Sequence, residues 1–302
     1  MKTTRSEKVY QNFCTAVVLI FALVCLYPLL YTIFISLTPA SEYDQRFDQG
    51  GGIMLLPPFN PTLAAYGKVL GAADLFLRAM GISIGRAALG TVTGIVFAAI
   101  VAFALSRPNL PGKKAYLYLI LFTILFSSGL IPGYLVVQDL GLKNTFWSMV
   151  IPGLFSTWNV LVFKQFFEGI PKELEEAAEV DGVNDMQLFL HIIIPMSKPV
   201  LAAIGLFTMV GHWNNWFDAS IYIESAYNYL WPLQLLARKS FLSGAQMANG
   251  GLEQLMNMGG GRVNETAMKM AITVITVFPI LCVYPFFQKY FTKGIYMGAV
   301  KG

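Results

Sequence analysis

Long apolar stretches constrain this chain of 302 residues more than anything else in it. They fall at about 13–36, 80–105, 115–137, 144–163, 200–222 and 267–287. A bilayer core of about 30 Å needs about 20 apolar residues in a helix, so each stretch is long enough to cross. Backbone N–H and C=O groups find no water in lipid, so apolar spans of this length satisfy them internally, as helices. Composition agrees. Hydrophobic residues make up 56% and charged residues only 13%, with a mean hydropathy of +0.58. A soluble domain carries about 25% charged residues, so this chain is short of solvating surface. The expected fold is an all-α polytopic membrane protein, one transmembrane domain over 1–302. Cys14, Cys25 and Cys282 all lie in apolar runs, and no disulfide framework is implied.

Charge sets the expected orientation. The net charge of +4 sits mostly beside the spans, so it reads as topology and not as affinity for nucleic acid. With the N-terminus inside, the cytoplasmic segments hold Lys2, Arg5, Lys8, Arg107, Lys113 and Lys114, with further lysines around the fourth and sixth spans. The short outer loops hold only Arg46, Lys68, Arg78 and Lys143. The positive-inside rule therefore puts both termini in the cytoplasm. The first stretch is too long for a signal peptide and lacks a cleavage site, so it reads as a retained span with Pro28 a tolerated kink. Leu37–Ala79 reads as an irregular loop, marked by Gly50-Gly51-Gly52 and Pro57-Pro58. The second span carries Gly81, Gly85, Gly90 and Gly94, which suits close helix packing in lipid.

One strongly polar segment interrupts the pattern: Pro171–Pro195, PKELEEAAEVDGVNDMQLFLHIIIP, within a cytoplasmic loop of 168–198. Pro171 suits a helix start, and Glu173, Glu175 and Glu176 favour the positive end of the helix dipole. Asp181-Gly182 stops that helix, because glycine takes the left-handed conformation of a C-terminal cap. Asn184 with Gln187 reads as a capping box opening a second helix, expected to end before Pro195. The product is a helical knuckle with an acidic side, and the small Ala177 and Ala178 let a partner approach its backbone.

The order Glu176-Ala177-Ala178, three residues, Gly182, nine residues, Ile192-x-Ile194-Pro195 resembles the EAA loop of binding-protein-dependent ABC importer permeases, with Ile194 in place of a Leu. Ala102–Arg107 (AFALSR), Gly205–Phe217 (GLFTMVGHWNNWF) and Lys293–Gly302 (KGIYMGAVKG) are similar to sugar-importer permeases. The stretches FSSGLIPGYLVVQDLGLKNT and IGLFTMVGHWNNWF resemble the shorter permease of importers of oligosaccharides cut from complex polysaccharides. The resemblance implies a type I importer permease in the bacterial cytoplasmic membrane. It implies a second permease subunit, two ATPase subunits and a solute-binding protein as partners, and an oligosaccharide cargo, with alginate or pectin fragments as candidates. It makes Pro171–Pro195 the coupling helix, with Glu175, Glu176, Ala177, Ala178, Asp181, Gly182, Ile194 and Pro195 meeting the ATPase. The outer loop at 223–266, with a helix expected over Tyr229–Phe241, would dock on the binding protein through Gly244–Gly261, and the tail would reach the ATPase interface.

The chemistry of the remaining residues fits a pore more than a catalyst. No G-x-x-x-x-G-K-[ST] phosphate loop occurs, so ATP and magnesium would belong to partner subunits. His191 and His212 are the only histidines, and no metal or nucleophile constellation surrounds them. Gly259-Gly260-Gly261 lacks a following strand and helix and reads as a loop. His212-Trp213-Asn214-Asn215-Trp216 with Asp218 lies in the fifth span. Polar groups at that depth face a cavity or a helix partner, and aromatic faces with amides also suit a sugar. Helix packing and an interfacial aromatic belt are the competing explanation. Arg86 lies inside the second span, whose sequence offers it no carboxylate. It either snorkels to the headgroups or meets an anionic sugar. Ion-coupled transport is the rival function, but it normally uses carboxylates inside spans, and Asp218 is the sole candidate.

Overall fold

A computed structural model describes residues 5–50, 57–71, 73–126, 128–246 and 263–298. The described chain is helical. In order it forms α1 (Arg5–Ser36), α2 (Ala40–Gly50), α3 (Ala64–Gly71), α4 (Ala73–Ser106), α5 (Lys113–Leu125), α6 (Leu130–Asp139), α7 (Thr157–Glu168) and α8 (Lys172–Val180). Then come α9 (Asp185–Leu188), α10 (Ile194–Met196), α11 (Lys198–Asn214), α12 (Phe217–Tyr222), α13 (Leu233–Gln246) and α14 (Glu265–Gly298). Among the described residues, three helical stretches are long and apolar enough to cross a membrane: Glu7–Ser36, Asp74–Ser106 and Glu265–Val283. Three bent pairs raise the number to six if each pair counts as one span.

The breaks in those pairs have local causes. The third apolar stretch is two helices, because α5 ends at Leu125 and α6 starts after Gly129, at φ +81°. Only glycine takes that backbone conformation cheaply. The fourth stretch opens with 3₁₀ turns over Phe146–Met149 and Ile151–Gly153, around Pro152, and becomes α-helical at Thr157. There the Ser156 hydroxyl caps α7 by accepting the Asn159 N–H at 3.3 Å. The last pair bends at Ser197, between α10 and α11, and farther on the fifth stretch breaks again at Asn215, whose backbone is extended, before resuming as α12.

The chain gathers into two compact units, Met1–Phe76 with Lys239–Phe278, and Leu77–Arg238 with Pro279–Gly302. In the first unit, α1 presents Val18, Ile20, Phe21 and Val24 outward, the inside-out arrangement lipid allows. The loop expected to be irregular instead holds α2 and α3. The Glu42 carboxylate of α2 accepts from the Phe59 and Asn60 N–H groups at 2.8 and 3.2 Å, and Ser36 Oγ meets the Tyr66 hydroxyl of α3 at 2.7 Å. Ala65 packs with Ala267 and Ala271, small residues that let α3 lie close on α14.

Among its described residues, the second unit holds two apolar clusters. One joins Ala98, Ala102 and Leu105 of α4 to Phe163 and Phe167 of α7 and to Leu188, Phe189 and Ile193 in the second arm of the knuckle. The other gathers Met149, Ala219, Ile223 and Leu235. The outer helix begins at Leu233, later than the expected Tyr229, because Trp231 precedes Pro232 and takes an extended conformation (φ −67°, ψ 128°). Residues 247–262, which include Gly259-Gly260-Gly261 and most of the expected binding-protein contact, lie outside the described residues, as does the end of the tail.

Candidate functional site

The break in the fifth span builds a polar node at membrane depth. Asparagine is a weak helix former, and where α11 stops at Asn214 the carbonyl of Asn215 has no helical N–H to accept from. Arg86 of α4 supplies the donor, with Nη1 at 2.7 Å from that oxygen. Its Nη2 forms an ion pair and hydrogen bond with Asp218 Oδ2 at the start of α12. Asp218 also accepts from Asn215 Nδ2 at 3.1 Å and from its neighbour's N–H, Ala219 N, at 2.6 Å. The Phe217 N–H donates to Asn215 Oδ1 at 3.0 Å, which stitches the break itself. Arg86 is 1% exposed.

This overturns the expectation that Arg86 either snorkels to the headgroups or waits for an anionic cargo. Its carboxylate partner comes from the fifth span, brought to it by the fold. The pair lines a cavity of about 290 Å³ together with Ser148, Thr208, His212 and Asn215. The His212 ring meets α4 at Gly90 through its Nε2 edge. A Cβ at Gly90 would fall 2.5 Å from His212 Nε2, so only glycine fits there. Trp213 is buried, only 5% exposed, in the manner of a packing residue, whereas Asn214 and Asn215 are exposed. Trp216 is half-buried with the Arg238 guanidinium 3.7 Å above its ring.

The knuckle folds as its residues require. Gly182 has φ +75°, the left-handed corner, and the Val183 N–H closes back on the Ala178 carbonyl at 3.0 Å. Asn184 Oδ1 accepts the Gln187 N–H at 2.9 Å while Gln187 Oε1 accepts the Asn184 N–H at 3.1 Å, a complete capping box. The helix does not stop before Pro195, however. A π-helical turn over Phe189–Ile193 leads through Pro195 into α10, ending at Met196. The wider turn relieves the clash and the missing donor that proline brings to a regular helix.

Glu176, Ala177, Asp181, Gly182 and Pro195 are exposed, Ile194 is half-buried and Ala178 is buried. Val180 is 88% exposed. Glu175 differs from its neighbours. It turns inward to a bidentate ion pair with Arg107 of the α4–α5 turn, both distances 2.9 Å. The sequence reading missed Arg107 as its partner, since only tertiary structure joins residues 68 positions apart.

Residues 78–296 match the family described as binding-protein-dependent transport system inner membrane component. The chain belongs to that family. The permease is 35% identical to the polygalacturonan/rhamnogalacturonan transport system permease protein YtcP of Bacillus subtilis over 94% of this chain and 95% of that one. It is 39% identical to protein LplC of the same organism, over 91% and 89%. Its fold matches a crystal structure of a bacterial ABC transporter involved in the import of the acidic polysaccharide alginate, with a TM-score of 0.84, 30% identity, and 96% and 99% of the two chains covered. The permease is thus a membrane-embedded subunit of an ABC importer, and ion-coupled secondary transport is set aside.

Proposed function

We propose that this permease forms half of the translocation pathway of an ATP-driven oligosaccharide importer. It works beside a second permease subunit, two ATPase subunits that bind ATP and magnesium, and an extracytoplasmic solute-binding protein. The chain itself is the non-catalytic pore part. One observation carries this reading: the knuckle corner at Gly182 offers Glu176, Ala177, Val180 and Asp181 to solvent, a surface with an apolar centre and acidic edges. Such a surface fits a basic-rimmed cleft on an ATPase subunit. Both termini and the knuckle then face the cytoplasm, as the basic flanks require. The cargo is an acidic oligosaccharide. That assignment rests on the import of alginate and of polygalacturonan or rhamnogalacturonan by similar transporters. Arg86 no longer supports it, being matched by Asp218. Asn214, Asn215, His212 and Trp216 are proposed to border the path; Trp213 packs behind them.

Uptake into proteoliposomes holding both permeases and the ATPases tests the reading. ATP with the binding protein should drive entry of uronate oligosaccharides, and an ion gradient alone should not. Uptake of neutral oligosaccharides in preference to uronates would sink the acidic cargo. Glu176→Lys should lower the ATPase subunits recovered with the permease; full recovery and transport would refute the seating of the knuckle.

A further inference from the structure

Between the α4–α5 turn and the knuckle runs a groove of about 1050 Å³, lined on one side by Pro108, Asn109 and Leu110 and on the other by Lys172, Glu176 and Asp185. Among the described side chains of α8, Ala178 alone is buried. What spans the groove is a charge pair. The Arg107 guanidinium, 17% exposed, grips the Glu175 carboxylate, 20% exposed, through both Nη atoms. Arg107 also lies 4.5 Å over the Phe103 ring, and Phe103 in turn packs against Phe189 at 4.9 Å. One arginine thus ties the end of α4 to both arms of the knuckle. At the same corner Lys113 donates to Glu168 at 3.1 Å, fastening α5 to α7.

We propose that Arg107 and Glu175 are positioning residues that carry movement of the second span to the knuckle. Glu175 thereby belongs to an internal strut and not to the surface that meets the ATPase. The inference rests on the seating of the knuckle proposed above. An exposed ion pair between flexible chains would transmit little. This one is four-fifths shielded, and its two parallel hydrogen bonds fix orientation as well as distance, which a lysine cannot reproduce. Glu176, the next residue along, is free to face outward because Glu175 faces in.

The test uses the complete complex of both permeases, the ATPases and the binding protein. It reads two quantities: ATPase subunits retained through purification, and stimulation of ATP hydrolysis by the binding protein. Arg107→Gln, Glu175→Gln and Arg107→Lys should retain the ATPase subunits yet lose stimulation by about fivefold or more, the lower range of coupling between sites. The exchange of Arg107→Glu with Glu175→Arg should restore most of it. Single variants with wild-type stimulation would overturn the strut. So would single variants that shed the ATPase as Glu176→Lys does, since Glu175 would then be a docking residue. A purified, assembled exchange variant that fails to recover would overturn it too. Failure of the wild-type chain to retain ATPase subunits would instead strike at the seating of the knuckle, and the strut would fall with it.

Discussion

Arg86 shows how one side chain is governed by what surrounds it at membrane depth. A lone charge at a bilayer centre costs about 3 kcal/mol on insertion scales, so an intramembrane arginine needs a partner. Asp218 and the freed carbonyl of Asn215 provide it. Asp218→Asn should strand Arg86 and destabilise the permease by about 3 kcal/mol, as breaking a buried pair does. The double replacement Arg86→Leu with Asp218→Leu should be milder than Asp218→Asn. Thermal unfolding in detergent decides, and equal stability of Asp218→Asn and wild type would show the pair to be energetically idle. Gly90 makes a second residue-scale claim. Gly90→Ala drives a methyl into the His212 ring and should cost about 1–3 kcal/mol, the range for overpacking. Adding His212→Ala should recover most of that loss. A double variant as unstable as Gly90→Ala alone would mean that the ring is not what the methyl meets.

At the scale of elements, the knuckle is a local structure with its own instructions. The left-handed corner at Gly182 costs most other residues about 1–2 kcal/mol, a β-branched one more and asparagine less. Gly182→Val should therefore weaken transport-linked ATP hydrolysis more than Gly182→Asn, because asparagine tolerates positive φ. Equal activity of the two variants would remove the corner from the coupling argument. Beside it, the end of α7 carries a titratable clamp. Burial pushes the Glu168 carboxyl up, but hydrogen bonds and charge from Lys164 and Lys113 outweigh it and hold the group below its usual 4.5. A depressed carboxylate contributes stability at pH values above its unfolded value, and that stability is lost as pH falls through the folded value. The difference in melting temperature between wild type and Glu168→Gln should stay constant from neutrality to about pH 5 and shrink below the ordinary glutamate range. A difference that grows on acidification would reverse the sign.

For the whole molecule, the breaks in the third, fourth and fifth apolar stretches matter more than the stretches. Irregular backbone at membrane depth survives only where protein or a cavity satisfies it, and the Asn215 break meets both conditions. Orientation belongs to this scale as well. Cysteines placed singly at Asn109 and at Asn228 should label from opposite sides of the membrane, with Asn109 reached from the cytoplasm. Labelling of both from one side would invert or abolish the topology drawn from the basic flanks.

The sequence by itself determined the membrane class, the approximate places of the apolar stretches and the internal geometry of the knuckle. These depend on hydropathy, on glycine's access to positive φ and on a capping box, all of which act within a few residues. Tertiary structure decided what those residues are for. Arg86 had no carboxylate within its own span, and Asp218 had no cation within its own. Their meeting depends on a helix break that puts α12 beside α4. Glu175 and Glu176 are adjacent and chemically alike, yet one turns in to Arg107 and the other faces out. Neighbours on a helix point about 100° apart, so which of them is sheltered depends on where the rest of the protein lies. That placement comes from packing between distant segments, to which local periodicity is blind.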